Sequence, residues 1–396
     1  MQTRLIGGTL LIVGSAIGGG ILALPIATAE FGFLHSSLLL LFCWALMTVS
    51  ALLILEIVLW LPKNTNIISM TKATLGNIGA LIAWATYLLL LYSLLAAYIA
   101  GGSDFFKNLL TIAHIALPSW TVSILFTALL GYIVFLGIHV VDYTNRGLMS
   151  IKFISLFLLI ALIFPHVSLP NLEGGKFMYF SPGITVAITS FGFATIIPSM
   201  RNYFHDDVKK LRIAIVLGSS IPLICYIAWD AAVMGVIPDD GSHGLISMLH
   251  SGQSTSAFVN QLSILLQRDT ITVVARLFTS ICLLTSFLVV ALSLVDFLAD
   301  GFQIEKVGKN KWIVCGAALL PPLLIVLLDP HIFIAALAHA GIYAIILLIV
   351  LPVLMAWRGR YHKKMEAGYQ VFGGKLLLIG LMIISVFIIG QGLVTQ

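Results

Sequence analysis

The chain has 396 residues, 60% of them hydrophobic and only 9% charged, with a mean hydropathy of +1.09. Soluble domains are about 25% charged, so this composition excludes a water-soluble enzyme, a disordered chain, a disulfide-stapled secreted module and a nucleic-acid binder. The net charge of +5, from 21 Lys and Arg against 16 Asp and Glu, is read as a record of membrane orientation rather than of an anionic partner. The chain reads as an all-α, polytopic membrane protein.

A helix needs about 20 apolar residues to cross a hydrocarbon layer of roughly 30 Å. Reading between charges predicts eleven spans, near 5–30, 36–61, 78–103, 120–138, 148–166, 184–204, 211–235, 271–299, 312–328, 331–356 and 375–395. The runs are long, unbroken and rich in Leu and Ile, unlike the short alternating strands of an outer-membrane barrel. The first run follows Met1-Gln2-Thr3-Arg4 directly and is too long for a signal-peptide core, so it reads as a retained helix.

That first span carries Val13-Gly14-Ser15-Ala16-Ile17-Gly18-Gly19-Gly20-Ile21-Leu22-Ala23-Leu24-Pro25. Three consecutive glycines are poor helix material, and Pro25 lacks a backbone donor. Unwound backbone at mid-membrane is tolerated only where protein or a wet cavity satisfies it. A small-residue packing face is the alternative for this segment taken alone. In the second span, Glu56 is expected to partner a helix break through freed backbone groups and, able to hold a proton, to take part in ion coupling, with snorkelling to the interface as the alternative. Tyr87, Tyr92 and Tyr98 in the third span read as bundle packing, and Lys152 stands near the start of the fifth.

The sixth span reads Thr189-Ser190-Phe191-Gly192-Phe193-Ala194-Thr195-Ile196-Ile197-Pro198-Ser199. Gly19 precedes Pro25 by six residues, and Gly192 precedes Pro198 by the same six. In the seventh span, Asp230 is open to pairing or snorkelling. The outer connection over 236–270, with Pro238-Asp239-Asp240-Gly241, is expected to hold a short surface helix around Ala257–Leu266, with a plain surface loop as the alternative. Asp296 and Asp300, four apart in the eighth span, share a helix face. Asp300 is a candidate gate partner for Arg4, with simple solvation as the alternative. His339, mid-way along the tenth span, is a candidate substrate or proton contact, or a packing histidine. Cys43, Cys225, Cys282 and Cys315 lie in apolar runs and read as buried small hydrophobes, forming neither disulfides nor a metal site.

Breaks in the first and sixth spans, each opening a set of five, predict two repeats (about 5–166 and 184–356) plus an extra helix at about 375–395, within one domain of 1–396. Five crossings invert the second copy, which is the inverted-repeat plan of secondary transporters with a midplane site. With the N-terminus in the cytoplasm, 17 of the 21 Lys and Arg fall on inner connections; Lys107, Lys176, Arg268 and Arg276 are outside. This places the C-terminus outside. Freed amides can hold a carboxylate and freed carbonyls an ammonium, and an amino acid carries both. Ser15, Gly18, Gly19, Gly20, Ser190 and Gly192 are therefore the expected binding residues, with Phe191 and Phe193 as stacking rings.

The Gly14–Pro25 run, the Ser190-Phe191-Gly192-Phe193 motif with Ile197-Pro198-Ser199, and Val295-Asp296-Phe297-Leu298-Ala299-Asp300 resemble the bacterial hydroxy/aromatic amino acid permease family across the whole eleven-span layout. Where its members often have His-Gly after the Ser-Phe-Gly-Phe motif, this chain has Ala194-Thr195. The resemblance implies a LeuT-type core in a bacterial cytoplasmic membrane, importing tyrosine first or tryptophan second by proton symport. It also supplies two coupling patterns. Sodium-driven relatives of the fold hold a cation between first-span carbonyls, here Gly14 and Ile17, and eighth-span hydroxyls, here Thr285 and Ser286. Some proton-coupled relatives put a fifth-span lysine in that place, here Lys152, and the expectation is protons before sodium.

Other classes fit less well. The Asp296-x-x-x-Asp300 spacing looks like a magnesium-binding acidic motif, but the facing acidic cluster that an enzyme would need is missing. Neither charged rings nor a repeated filter sequence points to a channel, and no phosphate-binding loop points to ATP. The chain is thus read as a non-enzymatic carrier that needs no cofactor, metal or obligate protein partner.

Overall fold

The computed structural model describes residues 2–63, 65–173, 175, 181–239, 241, 244–251 and 254–394. Lys176 and Asp240, both expected on outer connections, lie outside the described residues. The described residues contain helices and no strand. Ten helices are long and apolar enough to cross a membrane, and a bent pair at the N-terminus brings the spans to eleven. The protein is a multi-pass membrane protein.

The first span is α1 (Gln2–Ala16) and α2 (Gly20–Ala27), which meet at 54° across the glycines. The second is α3 (Phe33–Leu59), followed by a short α4 (Ile67–Leu75) whose first turn is capped by Asn66 accepting from the Ser69 amide at 2.8 Å. Next come α5 (Asn77–Ile112), α6 (Ser119–Leu136), α7 (Ile138–Ile163) and a single turn, α8 (Leu169–Leu172). The sixth span is α9 (Ser181–Ser190), a 3-10 turn over Gly192–Ile196, and α10 (Ile197–Tyr203). It is followed by α11 (Val208–Val236), two short connecting helices α12 (Leu245–Ser251) and α13 (Ser254–Leu266), and α14 (Asp269–Gly301). The chain ends with α15 (Lys309–Leu328), α16 (Phe333–Ile345), a π turn, α17 (Leu351–Tyr361) and α18 (Gly374–Val394).

Two expected spans were cut short at charges that the helices carry through. The fifth begins at Ile138, ten residues before its expected start, because Asp142 and Arg146 pair at 2.8 Å one turn apart on the helix itself. Its start is set by Gly137, whose φ of 111° suits glycine. The third runs on to Ile112 because Asp104 and Lys107 find partners. Asp104 accepts from the Thr255 hydroxyl and the Ser256 amide at the start of α13, and Lys107 donates to Ser119 at 2.7 Å. The helix expected around Ala257–Leu266 is α13.

The broken first span sits at the centre. Its halves lean on α11 and α9, while α14 runs between α7 and α5, and α16 crosses both α5 and α9. The α16–α9 crossing is tight enough to require glycine. A Cβ at Gly341 would lie 2.1 Å from the Thr185 carbonyl oxygen, and small residues at such crossings let membrane helices approach. Leu34, Ile78, Ile224, Leu328 and Leu376 point outward and are exposed, as a lipid-facing surface requires.

Candidate functional site

Between the breaks in spans one and six lies a cavity of about 280 Å³. The break in span one brings Gly14 to Gly18 and Gly20 to its wall, and span six brings Thr189, Ser190, Gly192, Thr195 and Ser199. The two breaks touch. A Cβ at Gly20 would lie 2.6 Å from Ser190 Oγ, whereas one at Gly192 would meet nothing within 4 Å.

Unwinding frees backbone groups, and side chains from three other helices take them up. Lys152 on α7 is 2% exposed and its ammonium donates to the Ile17 carbonyl at 2.6 Å. Ser286 on α14 accepts from the Gly19 amide at 2.8 Å. Tyr226 on α11 donates its hydroxyl toward the Ala16 and Ser190 carbonyls at 2.8 and 2.9 Å, so one residue spans both breaks. Thr285 lines the cavity too, its hydroxyl donating to Ile281 in its own helix at 2.8 Å. Among the described residues no carboxylate pairs with Lys152.

The rest of the wall is part aromatic, part aliphatic and part neutral polar. Tyr87, Leu91 and Tyr98 come from α5 and Val289 from α14, with Asn145 and Ser293 adding polar groups. Tyr98 lies against the break itself, since a Cβ at Gly19 would be 2.7 Å from its ring. A second cavity of about 340 Å³ shares Tyr87, Thr195 and Ser199 with the first and reaches Asn66, Asn202 and Phe297. Together they form a vestibule toward the molecular end that carries the Lys63, Arg201 and Lys306 connections. At that end Asp206 binds Lys63 at 2.7 Å and Arg201 at 2.6 Å, and these hydrogen bonds hold its carboxyl below the ordinary range. At the opposite end, every residue of α2 is buried.

The expected site residues thus divide. Ser15, Gly18, Gly20, Ser190, Gly192, Lys152, Thr285 and Ser286 share the cavity wall, and Gly19 stands behind it, bonded to Ser286. Phe191 and Phe193 are turned away and fully buried, Phe191 edge-on against Tyr226 at 5.2 Å. In this conformation the aromatic wall is therefore Tyr87 and Tyr98.

Glu56 does not serve a helix break. It is 1% exposed, is clasped by Arg360 on α17 at 2.7 and 2.5 Å, and accepts from the Val371 amide at 2.7 Å. An arginine 304 residues away satisfies it, which freed backbone would otherwise have had to do. Arg4 and Asp300 are both exposed and form no ion pair with each other among the described residues, and the nearby Asp296 binds Lys306 at 2.6 Å. His339 turns its Nδ1 to the Ala335 carbonyl of its own helix at 2.7 Å and does not line the cavity. Tyr226 and Asn145 have no motif around them, and no signal in the sequence singles them out.

The geometry invites comparison with known proteins. A family model described as the tryptophan/tyrosine permease family matches residues 1–391. The chain is 32% identical over 392 residues to the "Tyrosine-specific transport system 2" of Haemophilus influenzae, covering 98% of this chain and 96% of that protein. It is 31% identical to the "Tryptophan-specific transport protein" of the same organism, covering 94% and 92%. It is also 31% identical to the "Glutamine transporter 2" of Aliivibrio fischeri, covering 97% and 99%.

Proposed function

Because the chain belongs to the tryptophan/tyrosine permease family, we propose that it is a secondary active importer of aromatic amino acids, tyrosine foremost, working by proton symport and alternating access. In this reading it is a LeuT-type five-plus-five inverted repeat in a bacterial cytoplasmic membrane, with its N-terminus inside and its C-terminus outside. The observation that carries the proposal is the Lys152 ammonium donating to the Ile17 carbonyl at 2.6 Å, in the cavity that Thr285 and Ser286 also line. A lysine can stand there as ammonium or as neutral amine, so its proton can be taken up and released within the cycle. The charged form holds the unwound carbonyl with a charge-assisted bond, and the neutral amine holds it only weakly.

The substrate's carboxylate and ammonium are assigned to the backbone around Gly18, Gly20 and Gly192, which needs no charged side chain from the protein. Its ring is assigned to the wall of Tyr87, Leu91, Tyr98 and Val289. Asn145, Thr195, Ser199 and Ser293 also line the cavity and suit a tyrosine hydroxyl. The same neutral row suits an amide side chain, so glutamine is the second reading.

The test is uptake of labelled tyrosine into proteoliposomes under separately imposed proton and sodium gradients, with unlabelled tyrosine, tryptophan, phenylalanine and glutamine as competitors. The proton gradient should drive accumulation and tyrosine should compete best. A strict need for sodium overturns the coupling, and glutamine as the strongest competitor overturns the substrate.

A further inference from the structure

At the end of the molecule away from the vestibule, four oxygens form a chain. Asp230 Oδ2 lies 2.9 Å from Ser36 Oγ, which lies 2.9 Å from Thr28 Oγ1, which lies 2.8 Å from the Leu24 carbonyl. Thr28, Ser36 and Asp230 are 1%, 0% and 0% exposed. Each contact has hydrogen-bond length, and a full bond at each, not one proton divided between two acceptors as at Tyr226, needs a proton of its own. The carbonyl brings none, and Ser36 and Thr28 bring one each. Three contacts therefore share two hydroxyl protons unless Asp230 supplies the third.

We propose that Asp230 is a proton-binding site that carries its proton in this conformation. The acid donates to Ser36, Ser36 donates to Thr28, and Thr28 donates to Leu24. As a carboxylate, Asp230 would draw the Ser36 proton to itself. Thr28 would then have to choose between Ser36 and Leu24, and one contact would be lost. A second observation agrees. Asp230 Oδ1 is buried with no hydrogen-bond partner, a costly place for ionic charge and a tolerable one for the carbonyl of an acid.

Among the described residues no charged group offsets this. On the elements packed against α11, Lys152 is engaged by Ile17, Asp142 and Arg146 of α7 pair with each other, His139 is exposed, and Arg4, Glu56 and Arg201 lie toward the opposite end. Glu30, just beyond α2, faces His250 at 3.3 Å, and the His35 Nδ1 lies 3.0 Å from the Phe31 carbonyl. His166, beyond the end of α7, is exposed to solvent. Lys209, Lys210 and Arg212 stand at the far end of α11 itself.

The chain ties the second half of the broken span, α2, to α3 and α11. Asp230 is one turn from Tyr226, whose hydroxyl spans both breaks. Loss of the proton thus loosens α2 where it closes the end opposite the vestibule. The proton site rests on this geometry alone, and its use as a gate rests on the transport reading above.

Infrared difference spectra of the purified full chain in lipid nanodiscs test the site, comparing wild type with Asp230→Asn at neutral pH. The asparagine amide still donates to Ser36, so this variant keeps the chain and the fold. A carboxylic-acid carbonyl band should be present in wild type, lost in Asp230→Asn and shifted in Ser36→Ala. A carboxylate signal lost in its place overturns the proposal. Thermal stability gives a second readout. Asp230 is protonated in the fold and ionised in the unfolded chain, so wild type should lose stability as pH rises while Asp230→Asn does not. Identical pH courses overturn the proposal. Neither measurement reads uptake, so their failure is distinct from failure of proton-driven transport.

Discussion

Gly20, next to the Gly19 that matches Gly192 in motif spacing, and Gly192 both stand at the breaks, yet a side chain would meet different surroundings at each. A Cβ on Gly20 would run into Ser190, 2.6 Å from its Oγ and 3.5 Å from its Cα, while one on Gly192 would enter the open cavity. Gly20→Val should therefore lower both uptake and thermal stability in detergent, because the two breaks must part to admit it. Gly192→Val should abolish uptake while leaving membrane insertion and stability near wild type, because it fills the cavity proposed to hold substrate. Equal stability losses in the two variants would show that the cavity is not where substrate sits. Lys152 makes the sharpest claim at this scale. Lys152→Met should lose proton-driven accumulation, and Lys152→Arg should fail to restore it because guanidinium does not give up its proton. Normal accumulation by Lys152→Met would remove the lysine from the coupling step.

At the scale of elements, the buried pair of Glu56 and Arg360 joins α3 to α17, and the Val371 amide adds the segment that leads into α18. Arg212 lies over the Tyr369 ring at 4.8 Å in the same segment. This group ties down the segment leading into the eleventh span, which itself packs on α9, α16 and α17, and none of these residues lines the cavity. Removing one member of a buried pair leaves the other uncompensated, at a cost of about 3–5 kcal/mol. Arg360→Met should therefore sharply lower the unfolding temperature, and Glu56→Gln added to it should recover much of the loss. A double variant no better than the single one would mean that Arg360 acts through packing alone. The two short connecting helices illustrate a different economy. Asp104 caps the start of α13 from within α5, so a charge that looked like the end of a span instead anchors the connection above it.

For the whole molecule, the vestibule and the buried α2 describe a carrier open at one end. The open end holds the lysine- and arginine-rich connections, which the proposed orientation puts in the cytoplasm. Ser199→Cys, on the wall shared by both cavities, should react with a membrane-impermeant maleimide in inside-out vesicles and resist it in right-side-out ones. The native cysteines give little background, since all four are buried. Excess tyrosine should protect the introduced thiol. Labelling only from the periplasmic face would reverse the orientation.

The sequence by itself determined the class, the number of spans and the location of the breaks. Those follow from runs of apolar residues and from clustered glycines that hold a helix poorly, all of them local properties of the chain; Pro25 lies inside α2 and Pro198 in the first turn of α10. Lys152, Thr285 and Ser286 were legible as cavity groups because the resemblance gave them a pattern. What only the tertiary structure decided is which polar groups meet. Glu56 lies beside an arginine 304 residues away, and Phe191 and Phe193 turn into the core although they flank the break. Tyr226 reaches both breaks with no motif to announce it, and Asp230 becomes the end of a hydroxyl chain. In a membrane interior each buried polar group must find a partner inside the protein, and the crossing of helices far apart in sequence fixes that partner.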